Sequence, residues 1–314
     1  MTMSRHFGTK LDYSGKDGSG RSEVVGQASR LSGNGRMGLS IEEIQELKEI
    51  CRYIRKSIIN TIANAGAGHT GGSLSEVEIL VALYFHIMKI DPHNPAWQER
   101  DRFILSKGHS SPGFYCVLAK RGYFKEERLV EFDRIDSMLQ GHPCMLKTPG
   151  VDMSTGSLGQ GLSAGIGMVL GRDKRKMHFT VYVLMGDGEL QEGQVWEAVM
   201  YAGRHKLTGL VGIVDYNKVQ LTGTVADTLD LEPLADKWKV FGWSVLECDG
   251  HDIADVVKTI EQARDMSKSC PVAVIAHTVK GKGVSFMEGK YEWHAKAPNE
   301  EERQKALAEI EKYK

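Results

Sequence analysis

Residues 183–219 read VLMGDGELQEGQVWEAVMYAGRHKLTGLVGIVDYNKV. One apolar run ends in Gly-Asp-Gly, a helix-like segment follows, and a second apolar run ends just before Asn217. Strand, helix and strand in that order form a crossover unit, which predicts two parallel neighbours with Asp187 and Asn217 over one crevice. A carboxylate and an amide oxygen form a hard-oxygen pair suited to Mg²⁺ or Ca²⁺, and magnesium completes its shell with phosphate oxygens and water. Gly186 and Gly188 remove side chains where a diphosphate would approach the backbone. GDG and DYN are also ordinary turn sequences. Their pairing after successive strands is what favours a site.

The alternation continues on both sides. FTVYVLM precedes the GDG turn, and a helical EPLADKWKVFG, a strand-like WSVLECD, a helical DIADVVKTIEQARDM and a strand-like PVAVIAHT follow it. This predicts an α/β fold: three α/β/α layers around a mostly parallel sheet. Upstream, Ser40 and Glu43 form an S-x-x-E capping box. Ile41, Ile44, Leu47, Cys51, Ile54, Ile58 and Ile62 then recur at helical spacing, up to the glycines at 66 and 68. Residues 1–40 hold eight glycines and seven serines without periodicity, and are expected to be a flexible leader before a single domain at 41–314. A charged helix around EERQKALAEIEKY closes the chain.

The 314 residues carry a net charge of -1, which gives no reason to expect nucleic acid or an anionic membrane as partner. Five isolated cysteines (51, 116, 144, 248 and 270) argue for a reducing compartment rather than a disulfide scaffold or zinc site. The apolar runs are too short to span a bilayer and no secretory pattern opens the chain, so a cytoplasmic protein is expected.

Four histidines sit in glycine-rich or polar turns: His69 in GAGHTGGSLS, His109 in LSKGHSSPG, His142 in QGHPCM and His294 in YEWHAKAPN. A single histidine is commonly structural. Four in such loops are better explained as a polar cluster around a ligand. Between them, DMSTGSLGQGLSAGIGM runs from a glycine-rich turn into a small-residue helix, whose amides can bind an anion or hold a flat ring. It is neither a Walker loop nor a G-x-G-x-x-G fingerprint.

Taken together, GHTGGSLS, LSKGHSSPG, GHPCMLKTPGVDMSTGSLGQG, GDGELQEGQVWEA, IVDYNKVQLTG and VKGKGVSFMEGKYEWHAKAPN resemble, in order, the N-terminal half of transketolase over about residues 41–300. The resemblance implies the thiamine diphosphate-binding fold and transfer of a two-carbon ketol unit from a ketose phosphate to an aldose. It also implies thiamine diphosphate with Mg²⁺, Ca²⁺ or Mn²⁺ as cofactors. Asp187 and Asn217 would bind the metal through side chains, and Val219 through its carbonyl. Gly186, Gly188 and Asn217 would meet the diphosphate, and His109 with the Gly156-Ser157-Leu158 turn the coenzyme. His69 and His142 would face substrate hydroxyls, and His294 both coenzyme and sugar phosphate. Glu192 would lie at the contact between subunits. His69 is followed by Thr70 where full-length transketolases commonly have Pro, and the SKGHSS stretch also departs from their pattern.

The same resemblance implies that a glutamate facing the pyrimidine ring comes from a second domain, for which this chain has no counterpart after EWHAKAPN. An α₂β₂ assembly with a separate pyrimidine-binding subunit is therefore expected. The alternatives are a 2-oxoacid dehydrogenase α-like or deoxyxylulose phosphate synthase-like subunit, and a non-catalytic homologue that scaffolds a partner. Trp196 and Trp243 read as core residues, and His251 as a cap of the helix that follows it. His277 has no assigned role. Lys280 and Lys282 in KGKG suit either a phosphate or a solvated turn.

Overall fold

Four strands that were legible as apolar runs, and one that was not, make a five-stranded sheet. They are β1 (Arg102–Leu105), β2 (Val181–Gly186), β3 (Leu210–Tyr216), β4 (Ser244–Asp249) and β5 (Val272–His277), all parallel, in the order β1-β2-β3-β5-β4. The computed structural model describes residues 38–313, which fall in one compact unit. The expected leader therefore lies, except for its last three residues, outside the described residues.

The helices are α1 (Ile41–Ala65), α2 (Thr70–Ser75), α3 (Val77–Ala82), α4 (Ser111–Arg121), α5 (Gly161–Lys174), α6 (Gly193–Arg204), α7 (Val225–Leu229), α8 (Leu234–Val240), α9 (Ile253–Met266) and α10 (Glu300–Lys312). The capping box opens α1 as expected: Ser40 Oγ accepts from the Glu43 amide at 3.2 Å and Glu43 Oε2 from the Ser40 amide at 2.8 Å. Gly66, in the left-handed region at φ 68°, closes the helix.

Alternate residues along the strands feed two cores. Tyr182, Leu184, Val211, Ile213, Val272 and Val274 face one layer, packed with the buried sides of α1, α3, α4 and α9. Val181, Val183, Met185, Leu210, Val214 and Ile275 face the other, with α5, α6 and α8. Trp243 is buried there, donating from Nε1 to the Val199 carbonyl at 2.9 Å, and half-buried Trp196 packs on Trp238. Both tryptophans are core residues.

Because all five strands run the same way, their carboxyl ends lie on one edge. Lys107 follows β1, Asp187 follows β2, Asn217 follows β3 and Thr278 follows β5. That edge is the crevice where parallel α/β sheets bind ligands.

Candidate active site

The two predicted neighbours are neighbours: β2 and β3 pair in register, with Gly186 opposite Asp215. Asp187 is buried, its Oδ1 accepting from the Gly188 amide at 2.7 Å and its Oδ2 from the Lys218 amide. Asn217 Oδ1 accepts from the Val219 amide at 3.1 Å, so the Asp215–Val219 turn wraps around Asp187. The Val219 carbonyl accepts from the Lys280 ammonium at 3.0 Å. Burial, with the charge of Asp215 added, pushes the Asp187 carboxyl up to about 7. Burial and the positive charge of Lys107 bring Lys280 down to about 8.

This donor set suits a hard divalent cation. A carboxylate, an amide oxygen and a backbone carbonyl are oxygen ligands, and the cation already on Val219 is a lysine side chain standing in for positive charge. Among the described residues there is no group of three His, Cys, Asp or Glu that could hold a metal, so a softer nitrogen- or sulfur-ligated centre has no ligand set there.

A second network lies beneath, and sequence reasoning missed it. Lys107 is almost fully buried and donates to Asp215 Oδ2 at 2.7 Å and to the Gly72 carbonyl at 3.1 Å, with Glu76 Oε2 also 2.7 Å away. Ser75 Oγ and Thr278 Oγ1 donate to the same Asp215 carboxylate. Burial alone would raise Asp215, but Lys107 and these donors hold it below the usual range. Burial wins for Glu76, which is pushed up to about 7. Lys107 stays charged because its two carboxylates outweigh its own burial. Glu189 was missed as well. Its Oε1 accepts from Ser106 Oγ and from the Gly159 amide at 2.8 Å, and its Oε2 from the Gly186 amide at 3.1 Å, tying the ends of β1 and β2 to the glycine-rich turn.

Three of the four histidines converge. Ring centroids of His69 and His109 are 5.0 Å apart, those of His69 and His294 5.3 Å, and those of His109 and His294 5.1 Å in a stacked pair. His69 stands at the N-terminal boundary of α2 without a side-chain cap bond, His109 lies in the turn after β1, and His294 follows the buried Trp293. His142 is exposed and lies along Gly156, where an added Cβ would come within 3.2 Å of the ring at a φ of 154°. Ser157 is exposed and Leu158 half-buried beside it. Gly71 makes room for Lys280, since a Cβ there would lie 2.9 Å from Lys280 Cγ. Gly186 faces the stem of Lys107 and Gly188 the side chain of Gln220. Glu192 is exposed at the N-terminus of α6.

Burial first, then neighbouring positive charge, depresses all three clustered imidazoles: His69 to about 4, His294 to about 3, and His109 well below its ordinary value. His294 Nδ1 is buried and has no hydrogen-bond partner among the described residues. The cluster is therefore a set of neutral rings able to accept or donate at nitrogen. Folded values below the unfolded one mean that the unfolded chain takes up protons that the fold refuses. Stability is then full above about pH 6.5 and falls as pH drops from there through the folded values near 4 and 3. Over that window the histidines lower stability while raised carboxyls such as Asp187 oppose them, so the check is differential: the coenzyme-free His294→Asn variant is expected to lose less melting temperature on acidification than the parent.

One expectation is corrected, and one left open is narrowed. His251 does not cap α9; Asp252 does, accepting from the Ala254 amide at 3.0 Å, while the His251 ring is turned inward. Lys280 is buried, not part of a solvated turn; Lys282 is half-buried and lies 3.9 Å from Glu288. His277 lies at the surface against Glu247 at 2.8 Å.

The model of "Transketolase, thiamine diphosphate binding domain" matches residues 46–310. A 6-deoxy-6-sulfo-D-fructose transketolase subunit from Clostridium sp. (strain MSTE9) is 47% identical over 86% of this chain and 98% of its own length. An apulose-4-phosphate transketolase subunit from Actinobacillus succinogenes is 46% identical over 84% of this chain and 96% of its own length. Human transketolase is 38% identical over 81% of this chain, which spans only 40% of the human protein. The crystal structure of Campylobacter jejuni transketolase superposes with a TM-score of 0.78 at 33% identity, over 87% of this chain and 43% of that one. With its motifs in order, its parallel strands ending on one edge and a family match over most of its length, the chain belongs to the transketolase family, of which it carries the thiamine diphosphate binding domain.

Proposed function

We propose that this chain is one subunit of a split transketolase, transferring a two-carbon ketol unit between sugars in complex with a second polypeptide that carries the pyrimidine-binding half, as an α₂β₂ assembly. The observation that carries this reading is the neutral three-histidine cluster beside an oxygen donor set at one sheet edge. Two relatives named as subunits are matched over 98% and 96% of their length, whereas human transketolase is matched over 40%, which supports a separate partner.

In this reading Asp187, Asn217 and the Val219 carbonyl hold Mg²⁺, with Ca²⁺ or Mn²⁺ able to use the same oxygens. Gly186, Gly188 and Asn217 line the diphosphate, and Lys280 stands next to it as a buried cation. His109 and the Gly156–Leu158 turn hold the coenzyme's body. Bound thiamine diphosphate supplies the carbon nucleophile and electron sink for breaking the ketose carbon–carbon bond. The protein's own part is to exclude water and to manage protons. His69 and His142 hydrogen-bond sugar hydroxyls, and His294 holds or moves a proton at its unpartnered Nδ1. Neutral rings are required for that exchange, and burial keeps those of His69 and His294 neutral. Glu192 faces the partner. The two relatives are named for a sulfonated sugar and a sugar phosphate, so the donor class here is a ketose with a terminal anion.

The test is reconstitution. Affinity purification from the native host is expected to bring down a stoichiometric partner, and ketol transfer with thiamine diphosphate and Mg²⁺ is expected only from the complex. Full transfer by the isolated chain would contradict the split-enzyme reading. Release of CO₂ from a 2-oxoacid would move the protein to another thiamine diphosphate class, and a chain without coenzyme binding would be a scaffold.

A further inference from the structure

His251 lies outside the histidine cluster, at the start of α9, yet its ring is nearly buried and both nitrogens are engaged. Nδ1 lies 3.1 Å from Glu78 Oε2, and Nε2 lies 2.7 Å from the Val279 amide nitrogen. The partners fix the tautomer. Glu78 is a carboxylate held down at about 2: its burial is outweighed by Arg55, whose guanidinium meets both carboxylate oxygens at 2.7 Å. A carboxylate only accepts, so Nδ1 carries the hydrogen; a backbone N–H only donates, so Nε2 presents its lone pair.

The amide so held opens the turn that carries Lys280. The rest of that turn is tied to the same network: Arg55 Nε donates to the Lys282 carbonyl at 3.2 Å, and the Gly281 amide donates to the Gly71 carbonyl at 3.0 Å. From α1 and α3, then, Arg55 and Glu78 reach the turn twice, once directly at Lys282 and once through the His251 ring at Val279. On the ring's own segment, Asp249 Oδ1 accepts from the His251 amide at 2.9 Å and Asp252 is taken up by the cap of α9. At the far side of the turn Lys280 Nζ rests on the Val219 carbonyl.

We propose that His251 is a positioning residue for coenzyme binding: by accepting the Val279 N–H it fixes the 279–282 turn and so holds the Lys280 ammonium at the cation and diphosphate end of the site. The inference rests on the proposed function for the role of Lys280, but the anchoring itself does not. Partners that orient a ligand-binding group, without touching the ligand, commonly change affinity by about tenfold to a hundredfold.

Two substitutions separate the ring's two bonds. An asparagine amide falls where Nδ1 lies and can still donate to Glu78, but leaves the Val279 amide without its acceptor. A glutamine amide reaches the Nε2 position and can still accept from Val279. In the full chain without coenzyme, hydrogen exchange of amides 279–283 is expected to be about tenfold faster in His251→Asn and within about twofold of the parent in His251→Gln. Calorimetric titration with magnesium thiamine diphosphate is expected to show about tenfold weaker binding in His251→Asn only. In a Lys280→Met background the asparagine substitution is expected to add less than about twofold, because the path it acts through is already gone.

Equal effects of Asn and Gln on exchange, or a glutamine variant that does not fold, would overturn the anchor. Faster exchange with unchanged affinity, or an asparagine effect that adds in full to Lys280→Met, would overturn the route through Lys280. A parent chain with protected amides but no coenzyme affinity would overturn the proposed function, and with it the role given to His251. The exchange measurement on coenzyme-free protein distinguishes that failure from failure of the anchor.

Discussion

Replacing Asp187 by alanine is expected to weaken the binding of magnesium thiamine diphosphate by on the order of a hundredfold or more, and to remove ketol transfer from the reconstituted complex. The carboxylate is the only negatively charged donor among the three assigned to the metal, and it is buried. Burial, with the charge of Asp215 added, holds its pKa up near 7 against the opposing pull of Lys280. A folded value above the unfolded one means that the coenzyme-free chain is stabilised at low pH and loses that contribution as pH rises from about 4 through 7. Adding the metal should reverse the loss, because a cation favours the ionised form. Titration calorimetry on Asp187→Ala, with melting of the parent at pH 5 and pH 8 with and without Mg²⁺ and coenzyme, checks both halves. Unchanged coenzyme binding in the variant would remove Asp187 from the metal.

Lys107→Met is expected to be the most destabilising single change in the crevice, by about 3–5 kcal/mol, because it leaves two buried carboxylates facing each other without their shared cation. For a chain of this size that is a fall in melting temperature of roughly 10 °C. Asp215 and Glu76 are both fully buried, and Lys107 lies 2.7 Å from each. Glu76 is the partner expected to take up a proton in response, since burial already pushes it to about 7. Adding Glu76→Gln to Lys107→Met should therefore recover part of the loss, whereas Glu76→Gln alone should be mild. Urea denaturation of the three variants gives the coupling directly. If Lys107→Met melts with the parent, the ammonium does not hold the floor of the site.

The contrast between these two residues explains what could be read from the chain. Asp187 was legible because its evidence is local: an apolar run, two glycines and a matching turn one crossover later. The histidines were legible for a related reason, since glycine-rich turns announce close approach of backbone to something. Lys107 sits in LSKG, where attention falls on the histidine that follows and nothing local marks the lysine as buried; its meaning lies 35 residues away at Gly72 and 108 residues away at Asp215. Asp215 and Glu189 were hidden because acidic residues at strand ends and after GDG look like turn residues, and only burial shows otherwise. β1 was missed because RFIL is four residues long, between Asp101 and Ser106, too short to establish a period. His251 was misread for the opposite reason. Its neighbour Asp252 supplies the cap, so a histidine beside a helix start was credited with work done by the next residue.

The contact between Lys280 and the Val219 carbonyl has a consequence for timing. If Val219 is a metal ligand, the ion and the lysine compete for the same oxygen, so the metal cannot arrive until the side chain swings away. The displaced ammonium then has a ready destination in the negatively charged tail that enters with the ion. Metal and coenzyme should accordingly load as a concerted pair, each poorly retained without the other.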